Sequence, residues 1–443
     1  EDGIRDSSVT GFRRVLFRSL PLAWATGETI ERLASGAGLT FRTEALAAFN
    51  ALPTESNLLF TGYVDLRAAE LDAALPGPTP TAITHLPPSA LPDGAAALIV
   101  LSTSGVALYA SPAAVSAGLS VQLLDADAPL AGAERDRITA LIAAFWNVGI
   151  KITLAGGEIA APIIVRVDAP AAGAALIARI AVELGAGATA SVVEEIGGSA
   201  AAPDVARALL ATTSEVVLGA QSTLNLSSIQ DLPEDRAYLA VRRHTFGTGA
   251  TLNLAAAQVG ARIVRGRIDH VLAGDGSKVR QVEVVFGAGE QLHDLTTYSL
   301  HSGQKTVGDL LAKGVFAGTA RGYVKGVTTI PRSGRGTNSY LGEFGMLLSK
   351  TARSVAIPSL WIDQPDCERA AHGSSVGPID PSQIFYLRSR GLTEAEARRT
   401  IVMGFLEPVV AALPLEAEAD RLREVLSAKL DAALAAQPAA LAS

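Results

Sequence analysis

The sequence predicts a mainly β protein built as a parallel β-helix, with small α-helical regions before and after it. Three observations carry this reading. Short β-rich runs such as PIIVRV, ATASVVEEI, TLNLSSIQ and KVRQVEVVF, separated by Gly-containing breaks, fill the chain from about residue 95 to about 348. In LIARIAVEL, Arg179, Ala181 and Glu183 alternate with Ile180, Val182 and Leu184, the period of two that marks a strand with one buried face. The polar turns GAGAT (185–189), GAQST (219–223) and GTGAT (247–251) recur roughly every 30 residues, the spacing of stacked coils. A sandwich or lectin-like barrel closes in far fewer than the roughly 250 residues available, whereas a β-helix adds one coil at a time. Its two ends need covering, and the flanking helical segments are placed to do that.

Residues 1–19, EDGIRDSSVTGFRRVLFRS, mix four arginines with acids around a very short apolar part, so they are not a signal peptide. They are expected to be a non-native leader and take no part in the functional argument. Residues 20–94 form a helical N-terminal region and linker: Ile30 with Leu33 and Leu46 with Phe49 lie three apart on one face, and the Pro- and Gly-rich stretch 76–94 is a connector. Residues 95–379 are the β-helix core. Residues 380–443 turn helical again. Asp380-Pro381-Ser382-Gln383 places an N-cap Asp, a Pro at the first helical position and a Gln at the third, and Gly391 is placed to end that helix. Thr393 to Glu396 is a second capping box, ahead of Ile401, Val402, Phe405 and Val409 at helical spacing. A third helix carries Leu422, Val425, Leu426, Leu430 and Ala433 on one face, with acids at its start and Lys429 later, as the helix dipole prefers.

Composition removes several functions. With 37 basic against 44 acidic residues among 443, the net charge of −7 has the wrong sign for coating a phosphate backbone. The single cysteine, Cys367, excludes an internal disulfide framework and an all-cysteine metal site made by one chain, and it fits a reducing, cytoplasmic setting. Mean hydropathy is +0.30, yet it comes from dispersed Ala and Gly, and no run of about 18 apolar residues predicts a membrane span. Turns such as GDGSK (274–278) do not match a phosphate-binding loop, so any ATP is hydrolysed by a partner.

The stretches DLLAKGVFAGTARGYVKGV (309–327), MLLSKTARSVAIPSL (346–360) and above all AAHGSSVGPIDPSQIFYLRSRGL (370–392) resemble the SufB/SufD family of iron–sulfur cluster assembly proteins. The run H-G-x-x-V-G-x-I-D-x-x-Q-I-F-Y-L-R-S-R-G is the most specific of them. The resemblance implies a right-handed parallel β-helix whose C-terminal helical region docks the ABC-type ATPase SufC, in a complex of SufB, SufC and SufD. Iron–sulfur chemistry needs soft sulfur ligands. The SufB branch supplies a cysteine from its late coils, and the corresponding TNSYLGEFGMLLS (337–349) has none, so the chain looks most like SufD. On that resemblance His372 occupies the position that faces the SufB cysteine across the dimer interface, and it is the candidate metal ligand. The chain itself is expected to be non-enzymatic and to hold no cofactor stably, with a transient cluster at the SufB–SufD interface. Two departures stand out: SufD relatives have a cysteine where this chain has Ala370, and the approach DQPDCERAAHG diverges from the family's acidic one.

Other readings of these residues stay open at this point. His372 also suits a hydrogen bond in a tight turn made by Gly373, and Cys367 is either a neighbour of the interface or an incidental thiol. Gln383, Phe385, Tyr386, Arg388, Arg390 and Gly391 form either a partner-docking surface or a buried helix with a solvated rim. Histidines 85, 244, 270, 293 and 301 show no close ligand spacing and read as structural. A homodimeric SufB-like or SufD-like scaffold is the nearer alternative. A more remote one is an enzyme acting on acidic polysaccharide, for which Glu194, Glu195, Asp231, Glu234 and Asp235 are the candidate acids.

Overall fold

The computed structural model describes residues 22–53, 69–198, 207–411, 413 and 416–436; the expected leader, 1–19, lies outside them. Helices α1 (Gly27–Leu33) and α2 (Ala37–Ala51) come first, and strands β1 (Leu75–Pro76), β2 (Ile83–His85), β3 (Ala97–Ser102) and β4 (Gly105–Ala110) follow. Next are α3 (Pro112–Ser116), β5 (Leu119–Leu123) and α4 (Arg137–Phe145). The chain then runs as strands β6 (Val148–Leu154), β7 (Glu158–Asp168), β8 (Ala174–Leu184), β9 (Thr189–Gly197), β10 (Ala208–Leu218), β11 (Thr223–Asp231), β12 (Arg236–Phe246) and β13 (Thr251–Gln258). It continues through β14 (Ile263–Leu272), β15 (Lys278–Gly287), β16 (Leu292–His301), β17 (Val307–Phe316), β18 (Arg321–Ile330), β19 (Asn338–Leu347), β20 (Arg353–Ile362) and β21 (Arg369–Pro378). Helices α5 (Pro381–Ser389), α6 (Glu394–Val410) and α7 (Glu416–Ala435) close the described chain.

From β6 onward, even strands stack in one sheet and odd strands in a second, every neighbour pairing parallel. Sixteen strands at two per coil give a solenoid of eight turns, the parallel β-helix the turn spacing predicts. The turn stack explains the recurrent glycines. At Gly185 a Cβ would sit 1.9 Å from the Ala155 carbonyl oxygen, and at Gly274 it would sit 2.1 Å from the Gly247 carbonyl carbon. Each of these backbones donates to the coil before it, Gly185 to Leu154 O at 2.8 Å and Gly274 to Phe246 O at 2.9 Å. No side chain fits between backbones that close.

Three apolar layers hold the solenoid. Between the sheets, Ile180, Val182, Leu184, Val192, Leu224 and Leu226 are buried, each on alternate positions of its strand. On the outer face of the even sheet, α4 with α1 and α2 covers Ile177, Ala211 and Leu239; on the outer face of the odd sheet, α6 and α7 cover Ala255, Ala257, Val284 and Val315. Ion pairs at the rim fix the second contact, Lys429 with Asp231 at 2.9 Å and Arg421 with Glu195 at 2.5 Å.

The helical and β textures are less segregated than the sequence suggests. Helix α4 sits inside the stretch expected to be all β, capped by Asp136, whose Oδ1 accepts from Thr139 N at 2.8 Å, and all nine of its residues are buried. The 76–94 connector also contributes Ile83–His85, which pairs with β4. Among the described residues no helix is long and apolar enough to cross a membrane.

Candidate functional site at the open end of the solenoid

Each coil covers the one before it except the last. β20 and β21 stand at the ends of their sheets, so one backbone edge of each lacks a strand partner. Such an edge templates pairing with another chain unless it is blunted. This edge is not blunted by charge alone. Of the nine large apolar side chains exposed among the described residues, five lie between residues 361 and 386: Trp361, Ile362, Val376, Phe385 and Tyr386. A cluster at one end of an elongated molecule marks an interaction surface.

His372 is on β21, paired with Leu341 of β19. Upstream in the same register lie Leu310, Gln281, Leu254 and Leu226, all buried. His372 thus continues an inward-facing column, but it is exposed because no further coil covers it. The tight-turn reading of this histidine is not what the backbone does, since His372 and Gly373 are both in mid-strand. Cys367 sits in the turn before β21, half-buried, its Sγ donating to the Gln364 carbonyl at 3.2 Å. Burial and the Asp366 carboxylate push its thiol pKa up, away from the thiolate a metal or sulfur acceptor needs. His372 lies three residues beyond the start of the strand, on the order of 10 Å along it.

Helix α5 follows directly. Asp380 Oδ1 accepts from Ser382 N at 2.8 Å, Pro381 takes the first helical position, and Gly391 at φ 100° ends the helix. These are local signals, and all three were readable in the sequence. The aromatic pair was not. No residue of α5 is buried; Phe385 is 76% exposed and Tyr386 56%. The buried-helix reading is therefore wrong for these two rings. Arg390 stacks 5.2 Å from the Tyr386 ring centroid, Arg388 lies 3.8 Å from Glu394, and Gln383 points to solvent. A groove of about 630 Å³ runs beneath, walled by Leu347, Pro378, Ile379, Ile384, Phe385 and Arg398. Thr393 and Glu396 form the expected reciprocal cap at the start of α6.

The remaining sequence candidates are dispersed. Glu194 is buried against Arg242 at 2.6 Å, Glu195 is shared by Arg166 and Arg421, Asp231 pairs with Lys429, Asp235 with Arg236, and Glu234 is an exposed turn residue. Acids already engaged with their own chain's cations do not form a hydrolytic pair. His244, His270, His293 and His301 are buried in the solenoid, and His85 is exposed near the other end. Among the described residues no three His, Cys, Asp or Glu side chains gather as a metal-holding cluster. Sequence reasoning missed Trp361 and Ile362, which alternation alone marks as strand, because their exposure depends on where the stacking stops.

The described chain is thus a parallel β-solenoid with one uncovered end and an exposed aromatic helix beside it. The chain belongs to the SufB/SufD family of iron–sulfur cluster assembly proteins: the family model for the SUF system FeS cluster assembly SufBD core domain matches residues 166–405, just over half of it. It is similar to the iron–sulfur cluster assembly protein SufD of Bacillus subtilis, 38% identical over 159 residues, 36% of each chain. It is also similar to a SufBD family protein of Mycobacterium leprae, 26% identical over 239 residues, covering 54% of this chain and 27% of that one. A SufBD family protein of Mycobacterium tuberculosis is 24% identical over 309 residues, 68% of this chain and 76% of the relative. The chain thus spans 36% and 27% of the length of the first two relatives and 76% of the third.

Proposed function

We propose that this chain is a SufD-like, non-enzymatic subunit of a cytoplasmic iron–sulfur cluster assembly complex. It pairs with a SufB-like chain through the open edges of β20 and β21 and docks a SufC-like ABC ATPase on α5 and its groove. The observation that carries this reading is the uncovered terminal coil with His372 at its inward-facing position. Completing that coil with a partner's strands would satisfy both backbone edges and bury Trp361, Ile362 and Val376. His372 would then lie at the seam between the chains. Neutral imidazole is a borderline ligand, able to share iron with a partner's thiolate while the cluster, which is cargo, is formed. Phe385 and Tyr386 with Arg388 and Arg390 have the composition of an interface hot spot. ATP is hydrolysed on the partner, and closure of the ATPase pair would strain the interface that holds His372.

The test is co-purification of the tagged full chain with SufB-like and SufC-like proteins of the same genome, followed by anaerobic iron and acid-labile sulfide analysis. A three-component complex that stays assembled but loses cluster loading on His372→Ala supports the assignment. Failure to retain either partner overturns it, and a stable homodimer that loads iron and sulfide alone transfers the role to a one-component scaffold. Unchanged loading in the variant leaves assembly intact and removes His372 from the chemistry.

A further inference from the structure

The groove beside α5 is assembled from three separate parts of the chain. The end of β19 and the turn after it supply Leu347 and Lys350, α5 supplies Ile384, Phe385 and Arg388, and α6 supplies Glu394 and Arg398. Its floor is apolar: Ile379 is buried, and Leu347 and Ile384 are half-buried. Ile379 and Ile384 belong to the cluster that α6 and α7 bury against the odd sheet. At this point that core is left open to solvent, over about 630 Å³, a volume in the range of pockets that take a ligand or a partner's side chains.

The rim is charged, and its charges do not balance. Lys350, Arg388 and Arg398 face one carboxylate, Glu394, so three cations against one anion leave an excess of two positive charges. Glu394 is held by Arg398 at 3.0 Å and lies 3.8 Å from Arg388. Asp380, at the start of α5, already accepts from Ser382 N at 2.8 Å. Lys350 is exposed and pairs with no carboxylate among the described residues. The chain as a whole carries −7, so the positive groove is a local departure from its overall sign. It selects an acidic occupant over a basic one.

The shape favours a polypeptide over a small acid. Phe385 walls the groove yet is 76% exposed, and Tyr386, with Arg390 stacked on it, stands outside. A molecule confined to the groove would leave both rings in water, whereas a segment that crosses α5 to enter it covers them.

We propose that the groove receives a short acidic and apolar segment of the docking partner. A large aliphatic or aromatic side chain seats on Leu347, Ile379 and Ile384, and carboxylates close to it in sequence pair with Lys350 and Arg388. The inference rests on the docking reading given above. It adds the chemistry of the partner's contact segment, and it gives a binding role to Lys350, which lies outside α5. The anchor contributes affinity by leaving water, and the carboxylates orient the segment and speed its encounter with the groove.

Carbodiimide cross-linking joins an amine to a carboxylate only where the two touch, so it reads the Lys350 contact directly. The full chain is mixed with the purified SufC-like ATPase of the same genome, cross-linked, digested and analysed by mass spectrometry. The expected product links Lys350 to an Asp or Glu of the ATPase that has a large apolar residue within one helical turn of it. Calorimetric titration should show binding weakened about tenfold by Lys350→Glu, with a shallower dependence on salt, and retained by Lys350→Arg. Ile384→Trp, which fills the groove, should weaken binding about tenfold as well while circular dichroism stays unchanged. A complex in which Lys350 forms no such link and Lys350→Glu binds like the wild type overturns the acidic occupant and leaves docking on α5 standing. If the wild-type chain does not bind the ATPase at all, the docking reading itself fails and this inference goes with it.

Discussion

Arg242 shows how much a single buried charge decides in this fold. Its guanidinium is 4% exposed, 2.6 Å from Glu194 and 2.6 Å from Ser228 Oγ. Arg242→Met leaves the Glu194 carboxylate buried without its cation, and the expected loss is about 3–5 kcal/mol of unfolding free energy. Adding Glu194→Gln removes the stranded charge, so the double variant should recover most of the loss. Guanidinium denaturation of the four proteins measures both, and a double variant no more stable than Arg242→Met would show that Glu194 is not the group being compensated. None of this pairing was legible in the sequence. Gly247 follows Phe246 directly, whereas Ala273 intervenes between Leu272 and Gly274, although Phe246 and Leu272 end equivalent strands. That one-residue offset in the turns conceals the register that stacks His244 on His270, and the Arg242–Glu194 pair joins two different sheets, a contact no strand periodicity shows.

Among elements, what the sequence showed was what local chemistry decides. The caps of α5 and α6 and the glycine turns follow from neighbouring residues, and each stands where it was expected. Helix α4 escaped because RITALIAAF is short and, beyond Arg137 and Thr139, wholly apolar; so brief a buried run does not separate helix from strand by periodicity. The glycine turns give a sharp test of stacking. Gly274→Ala forces a methyl to 2.1 Å from the Gly247 backbone and should cost about 3 kcal/mol. Gly276→Ala, two residues on, has open space but φ 67°, and should cost about 1–2 kcal/mol. Thermal midpoints that rank the two variants the other way would show that strain in the turn, not coil spacing, selects these glycines. Helix α5 makes the complementary prediction. Phe385→Ala and Tyr386→Ala remove exposed rings, so stability should change by no more than about 0.5 kcal/mol. With the proposed docking on α5, affinity for a SufC-like ATPase should fall by about 2 kcal/mol for each, measured by calorimetric titration. Unchanged affinity in both would move the docking site off this helix.

For the whole molecule the buried titratable groups set the pH dependence of stability, and their effects have opposite signs. Burial lowers His270 and His301 to about 4, His293 to about 3 and His244 well below its ordinary 6.5. The unfolded chain therefore binds more protons at these sites as pH falls below 6.5, and stability is lost between there and about pH 4. The N-cap carboxylate of Asp380 and the capping-box carboxylate of Glu396, held low by backbone N–H donors, lose their contribution on the same side. Glu283 and Glu343 act in reverse. Raised from 4.5 to about 7 and about 8, they hold protons that the unfolded chain has released, so their contribution is complete below pH 4.5 and lost as pH rises through 7 and 8. Between pH 4.5 and 6.5 four histidines outweigh two carboxyls and stability climbs with pH; above 6.5 the carboxyls act alone and it declines. The maximum should therefore fall near pH 6.5. Urea midpoints measured across that range should lose their acid slope in part with His270→Gln and their alkaline slope with Glu343→Gln. An alkaline slope that survives Glu343→Gln unchanged would mean that this carboxyl is already ionised in the folded chain, and that its burial does not hold its proton.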